Sequence, residues 1–174
     1  RNTNVETNGD DTSNSLEAPL PLKHLELRRS HIGDSSYKLA DVMKYISSLE
    51  YLGLSENDLN ESHFNVLGPA ISNLSNLTNI DIHGNHDIGN SFEAIVTVFN
   101  CCKLMTKLDI NTMKLDDVSN NALSSLHIPT VEHLMLRNAN ITSHGAEALS
   151  KSLHHMPLLT TLHLSNNNIG SDGA

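Results

Sequence analysis

Tryptophan does not occur in this sequence, and tyrosine and phenylalanine occur three times each, so aromatic residues make up 3% of the chain. Basic residues are also few: 11 Lys and Arg against 20 Asp and Glu leave a formal net charge of -9. A polyanion meets a repulsive field at such a surface, and no nucleic-acid partner is expected. Cysteine is limited to Cys101 and Cys102. The side chains of adjacent residues diverge, so the pair reads as free thiols packed at a helix end, in keeping with a reducing, cytoplasmic compartment. No apolar run approaches the length of a membrane span, no signal peptide is visible, and no membrane partner is expected. Nor is there a Gly-rich phosphate loop, a nucleophile motif or a CxxC pair, so neither an enzyme nor a cofactor is expected.

What is present is a repeat. The stretch LTTLHLSNNNIGSDGA, residues 159–174, places Leu159, Leu162, Leu164, Asn167 and Ile169 in the spacing LxxLxLxxNxI. The same frame starts at Leu22, Leu49, Leu77, Met105 and Val131, with steps of 27, 28, 28, 26 and 28 residues. This is the spacing of leucine-rich repeats. Within each copy the residues between the core positions alternate outward, the period of a short strand with one buried face. The period then changes to 3.6, as in Phe64, Leu67, Ile71 and Leu74, or Ala146, Leu149, Leu153 and Met156. The expected fold is an α/β leucine-rich-repeat solenoid, a horseshoe arc of about six repeats of 26–28 residues, with parallel strands on the concave face and helices on the convex face.

Finer expectations follow from the same frame. Residues 1–18, polar and acidic, read as a flexible leader, and 19–174 as the repeat domain. The chain begins with Arg and ends where Gly173 and Ala174 should open a helix, so it reads as a piece of a longer protein. Asp34, Glu61, Asn90, Asp117, Ser143 and Ser171 recur two residues beyond each final Ile or Leu, where helix N-caps are expected. Asn57, Asn85 and Asn167 occupy the repeat's Asn position and should bond backbone groups of adjacent coils. Ser30 does so in part; Met113 and Ala139 cannot, so coils four and five are expected to be the least regular. One extra residue, His86 or Asp87, should bulge the loop of the third repeat. Sequons at Asn60, Asn73, Asn76 and Asn140 are no more than a chain rich in Asn, Ser and Thr gives by chance.

With LMLRNANITSHGAEALSKSLHHMP beside it, the last repeat resembles the ribonuclease-inhibitor-like subfamily of leucine-rich repeats, over about residues 20–174. The resemblance implies a strand and a full helix per repeat, and a role in binding proteins. The same repeats occur in ribonuclease inhibitors, in activators of the nuclear-transport GTPase and in the sensor regions of nucleotide-binding immune receptors. Ribonuclease inhibitors are rich in Cys and Trp, which this chain is not. The activators depend on an N-terminal arginine, for which Arg28 and Arg29 are candidates, and on an acidic tail, which this chain lacks. The loose, Ser- and Asn-rich repeats most resemble those of an animal NOD-like receptor, which implies ligand sensing in innate immunity.

Across the six repeats the concave face should show three columns. The central one is Glu26, Gly53, Asp81, Asp109, Met135 and His163; before it run His24, Tyr51, Asn79, Lys107, His133 and Thr161; after it Arg28, Ser55, His83, Asn111, Arg137 and Ser165. The candidate partner-binding residues are Arg28, Tyr51, Asp81, His83, Asp109, Asn111, Met135, Arg137 and His163, with Tyr51, Met135 and Arg137 as anchors by residue type. Lys23, His24, Arg28, Arg29 and His31 should make the first coil basic, and Asp81 and Asp109 the middle acidic, which would steer a partner of opposite arrangement. Asp81 and Asp109, about 5 Å apart across the ladder, are chemically able to share a proton or hold a cation. An open strand face offers no pocket to shift a pKa, however, so no catalytic role is expected. His83 and His86 with Asp81 fall short of a zinc ligand set. His154 and His155, at a helix end, suit the helix dipole as cations.

Overall fold

The computed structural model describes residues 19–173 apart from 87, 89–91 and 116. The stretch 1–18, expected as a leader, and Asn90, expected as a cap, lie outside the described residues. Six strands form one parallel sheet in sequence order: β1 His24–Glu26, β2 Tyr51–Gly53, β3 Asn79–Asp81, β4 Lys107–Asp109, β5 His133–Met135 and β6 Thr161–His163. Between them run helices α1 Ser36–Met43, α2 Glu61–Ser72, α3 Phe92–Cys101, α4 Asp117–Ala122 and α5 Ser143–Leu153. Every strand pairs in the register the repeat frame requires, so that Leu25, Leu52, Ile80, Leu108, Leu134 and Leu162 form one row of Cα partners. The expected α/β leucine-rich-repeat solenoid is the fold.

The core is a stack, one layer per coil. In the inner coils the frame residues are fully buried, Leu49, Leu52, Leu54 and Leu59 in the second and Val131, Leu134, Leu136 and Ile141 in the fifth all at 1% exposure or less. The helix stripes Phe64, Leu67, Ile71 and Leu74 close the layer from the other side. Burial of one such Leu side chain stabilises by about 1.5–3 kcal/mol. In the outermost coils, which have a neighbour on one side alone, Leu22 is exposed and Leu159, Leu162, Leu164 and Ile169 are half-buried.

The short fourth repeat pays for its missing residues in helix. α4 has six residues and continues as a 3-10 turn, Leu123–Ser125; Leu123 of that turn and Leu126 and Ile128 after it fill the layer. A 3-10 segment advances further per residue than an α-helix and so spans the same gap with a shorter chain.

Two expectations need correction. The helix caps sit one residue earlier than expected: Asn60 accepts from the N–H of His63 and Thr142 from that of Gly145, whereas Glu61 and Ser143 are the first helical residues. His63 returns the bond through Nδ1 to the Asn60 N–H at 3.1 Å, completing a capping box with His where Glu or Gln is usual. In the first coil Asp34 lies in a 3-10 turn, Gly33–Ser35, without a side-chain cap.

The second correction concerns coils four and five, which keep the turn geometry of their neighbours. Left-handed residues flank the Asn position at Arg29 and His31, Glu56 and Asp58, Thr112 and Lys114, and Asn138 and Asn140 alike. Met113 and Ala139 are buried there, and other bonds replace the missing amides: Leu115 N–H donates to the Ala139 carbonyl at 2.9 Å and Asn140 Nδ2 to the Leu115 carbonyl at 2.9 Å. The inner packing and the ladder hold the turn even where its Asn is gone.

Candidate functional site

The register brings the first two expected columns together on one surface. His24, Tyr51, Asn79, Lys107, His133 and Thr161 are successive Cα partners, as are Glu26, Gly53, Asp81, Asp109, Met135 and His163. Of the nine candidate binding residues, Tyr51, Asp81, His83, Asp109, Asn111, Met135 and His163 are half-buried and Arg28 and Arg137 exposed.

At its first end the face is tied down by carboxylates. Tyr51 stacks on His24 with ring centroids 4.1 Å apart and donates its hydroxyl to Glu26 Oε2 at 2.8 Å. Burial and that bond push the Tyr51 phenol above its usual pKa. Glu26 reaches Tyr51 by folding over Gly53, whose position would put a Cβ 2.5 Å from the carboxylate oxygens. A side chain at 53 would displace Glu26.

The basic first coil does not survive folding. Lys23 pairs with Glu50 at 2.6 Å, and Arg28 and Arg29 both bond Glu56. The two guanidiniums hold the Glu56 carboxyl down at about 2. Glu56 was missed by the column reading because it lies in the turn after β2 at φ 53, where the alternation that sorts strand residues into faces has ended. Ser55, expected as an exposed member of the third column, is buried to 1%, and its Oγ has no hydrogen-bond partner among the described residues.

The acidic middle is as expected. Asp81 and Asp109 are Cα partners on β3 and β4. Asp81 Oδ1 accepts from the His83 backbone N–H at 3.0 Å and lies 2.7 Å from His83 Nδ1. His83 Nε2 lies 3.5 Å from Glu56 Oε1, so the ring stands between two carboxylates. Asp109 Oδ1 accepts from the Asn111 N–H at 3.1 Å. Contrary to expectation, this open face does shift a carboxyl: burial, with the charge of Asp81 adding to it, raises Asp109 above its ordinary value, and the Asn111 N–H only partly offsets it.

At the far end Asn111 Oδ1 accepts from the Arg137 N–H at 2.6 Å, and Arg137 approaches His163 Nε2 at 3.5 Å. His86 does not join His83; it is exposed in the turn and lines, with Thr112, Lys114, Asn138 and Asn140, a polar hollow along the loops. His154 caps α5, while His155 packs against His154 and His127 at 3.9 and 4.7 Å between ring centroids. Burial and those two rings lower the His155 pKa, which disfavours a cation there. Cys101 is exposed and Cys102 buried, both free thiols at the end of α3 as expected.

Six parallel strands in one sheet with helices between them make the fold a leucine-rich-repeat solenoid. The model of the family described as Leucine Rich repeat matches residues 127–150 and 155–174, in the fifth and sixth coils. No curated protein matches the chain. Leucine-rich-repeat domains generally mediate protein interaction. Among the described residues no helix is long and apolar enough to cross a membrane.

Proposed function

We propose that this chain is a non-enzymatic recognition module whose concave face binds a protein, and that it serves as the ligand-sensing repeat region of a cytoplasmic innate immune receptor. The observation that carries the binding reading is the row of half-buried side chains from Tyr51 to His163, which belong to no core layer yet are held in fixed places by the ladder beneath them. A preformed surface of this kind loses little conformational freedom on binding. The immune reading rests on the Ser- and Asn-rich character of the repeats. Arg28 and Arg29, which a GTPase activator would present to its partner, both engage Glu56, and this speaks against that alternative.

Tyr51→Ala, Met135→Ala and Arg137→Glu on the concave face, and Lys151→Glu on α5 as a convex control, separate the outcomes in affinity capture from the organism's own cell extract, with the captured protein identified. A partner held by the wild type and the control but lost by the three concave variants is the expected result. Capture by all four variants would move the interface elsewhere. The receptor reading is tested by sequencing the transcript that carries this stretch: a nucleotide-binding domain in the same reading frame supports it, and a frame without one overturns it.

A further inference from the structure

We propose that Asp81, His83 and Asp109 form a binding site for a divalent transition-metal cation of the zinc type on the concave face. A nitrogen of His83 and carboxylate oxygens of Asp81 and Asp109 all lie within 4.8 Å of one another, and this is the group of three metal-ligating side chains found among the described residues. Ligands on one ion at about 2.0–2.2 Å stand roughly 3 Å apart when adjacent, and the 2.7 Å between Asp81 Oδ1 and His83 Nδ1 is close to that. Asp109 offers the third ligand atom within the same 4.8 Å.

Two features set this cluster apart from ordinary surface acids. The carboxylates face each other as direct cross-strand partners, an arrangement of like charges that is destabilising unless a cation lies between them. The imidazole has a carboxylate behind it: with Nδ1 toward the ion, Nε2 faces Glu56 Oε1 at 3.5 Å, the order carboxylate, histidine, metal by which proteins orient a ligating ring. The sequence alone did not assemble the set, because it paired His83 with His86, which folding turns away.

The donor set also selects the ion. One imidazole nitrogen with two carboxylates suits zinc, cobalt or nickel better than magnesium or calcium, which prefer an all-oxygen shell. Three protein ligands leave positions open for water or for a group on a bound protein. The site stands independently of the proposed receptor role, since the metal alone is the probe.

Zinc and cobalt are titrated into the full chain by calorimetry and visible absorption, for the wild type, Asp109→Asn, His83→Gln and, as a control for other histidines, His155→Gln. Asparagine at 109 keeps an oxygen for the Asn111 N–H, so the fold is retained, and circular dichroism checks this. Expected is a single saturable equivalent with cobalt bands, weakened about tenfold or more in Asp109→Asn and His83→Gln, unchanged in His155→Gln, and not displaced by excess magnesium. Absence of saturable binding in the wild type, or wild-type affinity retained in Asp109→Asn and His83→Gln, overturns the proposal. Loss in His155→Gln alone would also overturn it and would assign the metal to the His127, His154 and His155 group.

Discussion

Asn85 Oδ1 accepts the backbone N–H of Asn57, one coil back, at 3.1 Å, and takes the Leu59 N–H as well at 3.0 Å. Its Nδ2 donates to the carbonyls of Leu54 and Ile82 at 3.1 and 2.7 Å. Asn57 repeats the pattern toward the first coil, accepting from Ser30 N–H and donating to the Leu27 carbonyl. One amide thus joins two coils by meeting the groups that the left-handed turn would leave bare.

Asn85→Ala removes all four bonds at a fully buried position. The expected loss is about 2–4 kcal/mol, since buried backbone groups left without partners cost more than the bonds were worth. The shift in urea midpoint relative to wild type measures it. A loss below about 1 kcal/mol would mean that packing and the ladder hold this turn without the amide.

Gly145 gives a second test, because propensity and packing oppose each other there. It is buried in the first turn of α5, and a Cβ at that position would lie 1.8 Å from Asn120 Oδ1 and 3.0 Å from Ile141 Cγ2. Alanine should favour the helix by about 1 kcal/mol. The buried Asn120 cannot give way cheaply, so the net effect of Gly145→Ala is expected to be a destabilisation of about 1–3 kcal/mol, read from thermal or urea unfolding. A stabilised variant would refute the close approach.

Acid stability should carry the mark of Glu56. Its folded pKa of about 2 lies below the ordinary 4.5 because Arg29 and Arg28 bond the carboxylate. A depressed carboxyl contributes stability above the unfolded value and loses it as pH falls through the folded one. Wild type is therefore expected to exceed Glu56→Gln in stability at neutral pH, with the gap closing between about 4.5 and 2. Both arginines are largely exposed, so added salt should narrow the gap as well. A gap that ignores pH would assign the effect to packing.

The adjacent thiols should react at different rates. Cys102 is buried and its thiol is pushed up to about 11, chiefly by burial, while Cys101 is exposed. A thiol-specific reagent at mildly alkaline pH is expected to label one cysteine of the folded chain quickly and the second only on unfolding. Cys101→Ser should remove the fast phase, and equal rates for both thiols would contradict the burial of Cys102.

The repeat frame was legible without coordinates, because each coil places apolar residues at the same offsets and a one-residue slip would turn them all outward. Leu52, Ile80, Leu108 and Leu134 could be aligned by counting, and with them the columns that face outward between them. That Asp81 would stand beside Asp109 follows from the same count. The cap positions erred by one because Asn60 and Glu61 both suit a helix start, and only backbone dihedrals separate a cap in extended conformation from a first helical residue.

Sequence by itself determined the solenoid, its coil number and the register of its strands, since these depend on a spacing repeated six times. Tertiary structure alone decided how that face is charged. Glu56 lies outside the alternating strand, yet its side chain reaches Arg28, Arg29 and His83 and offsets part of the charge of a basic edge. Side-chain direction in a left-handed turn is set by packing and by partners distant in the chain, not by period. The same holds for His83, whose place between two carboxylates depends on contacts to residues of two coils.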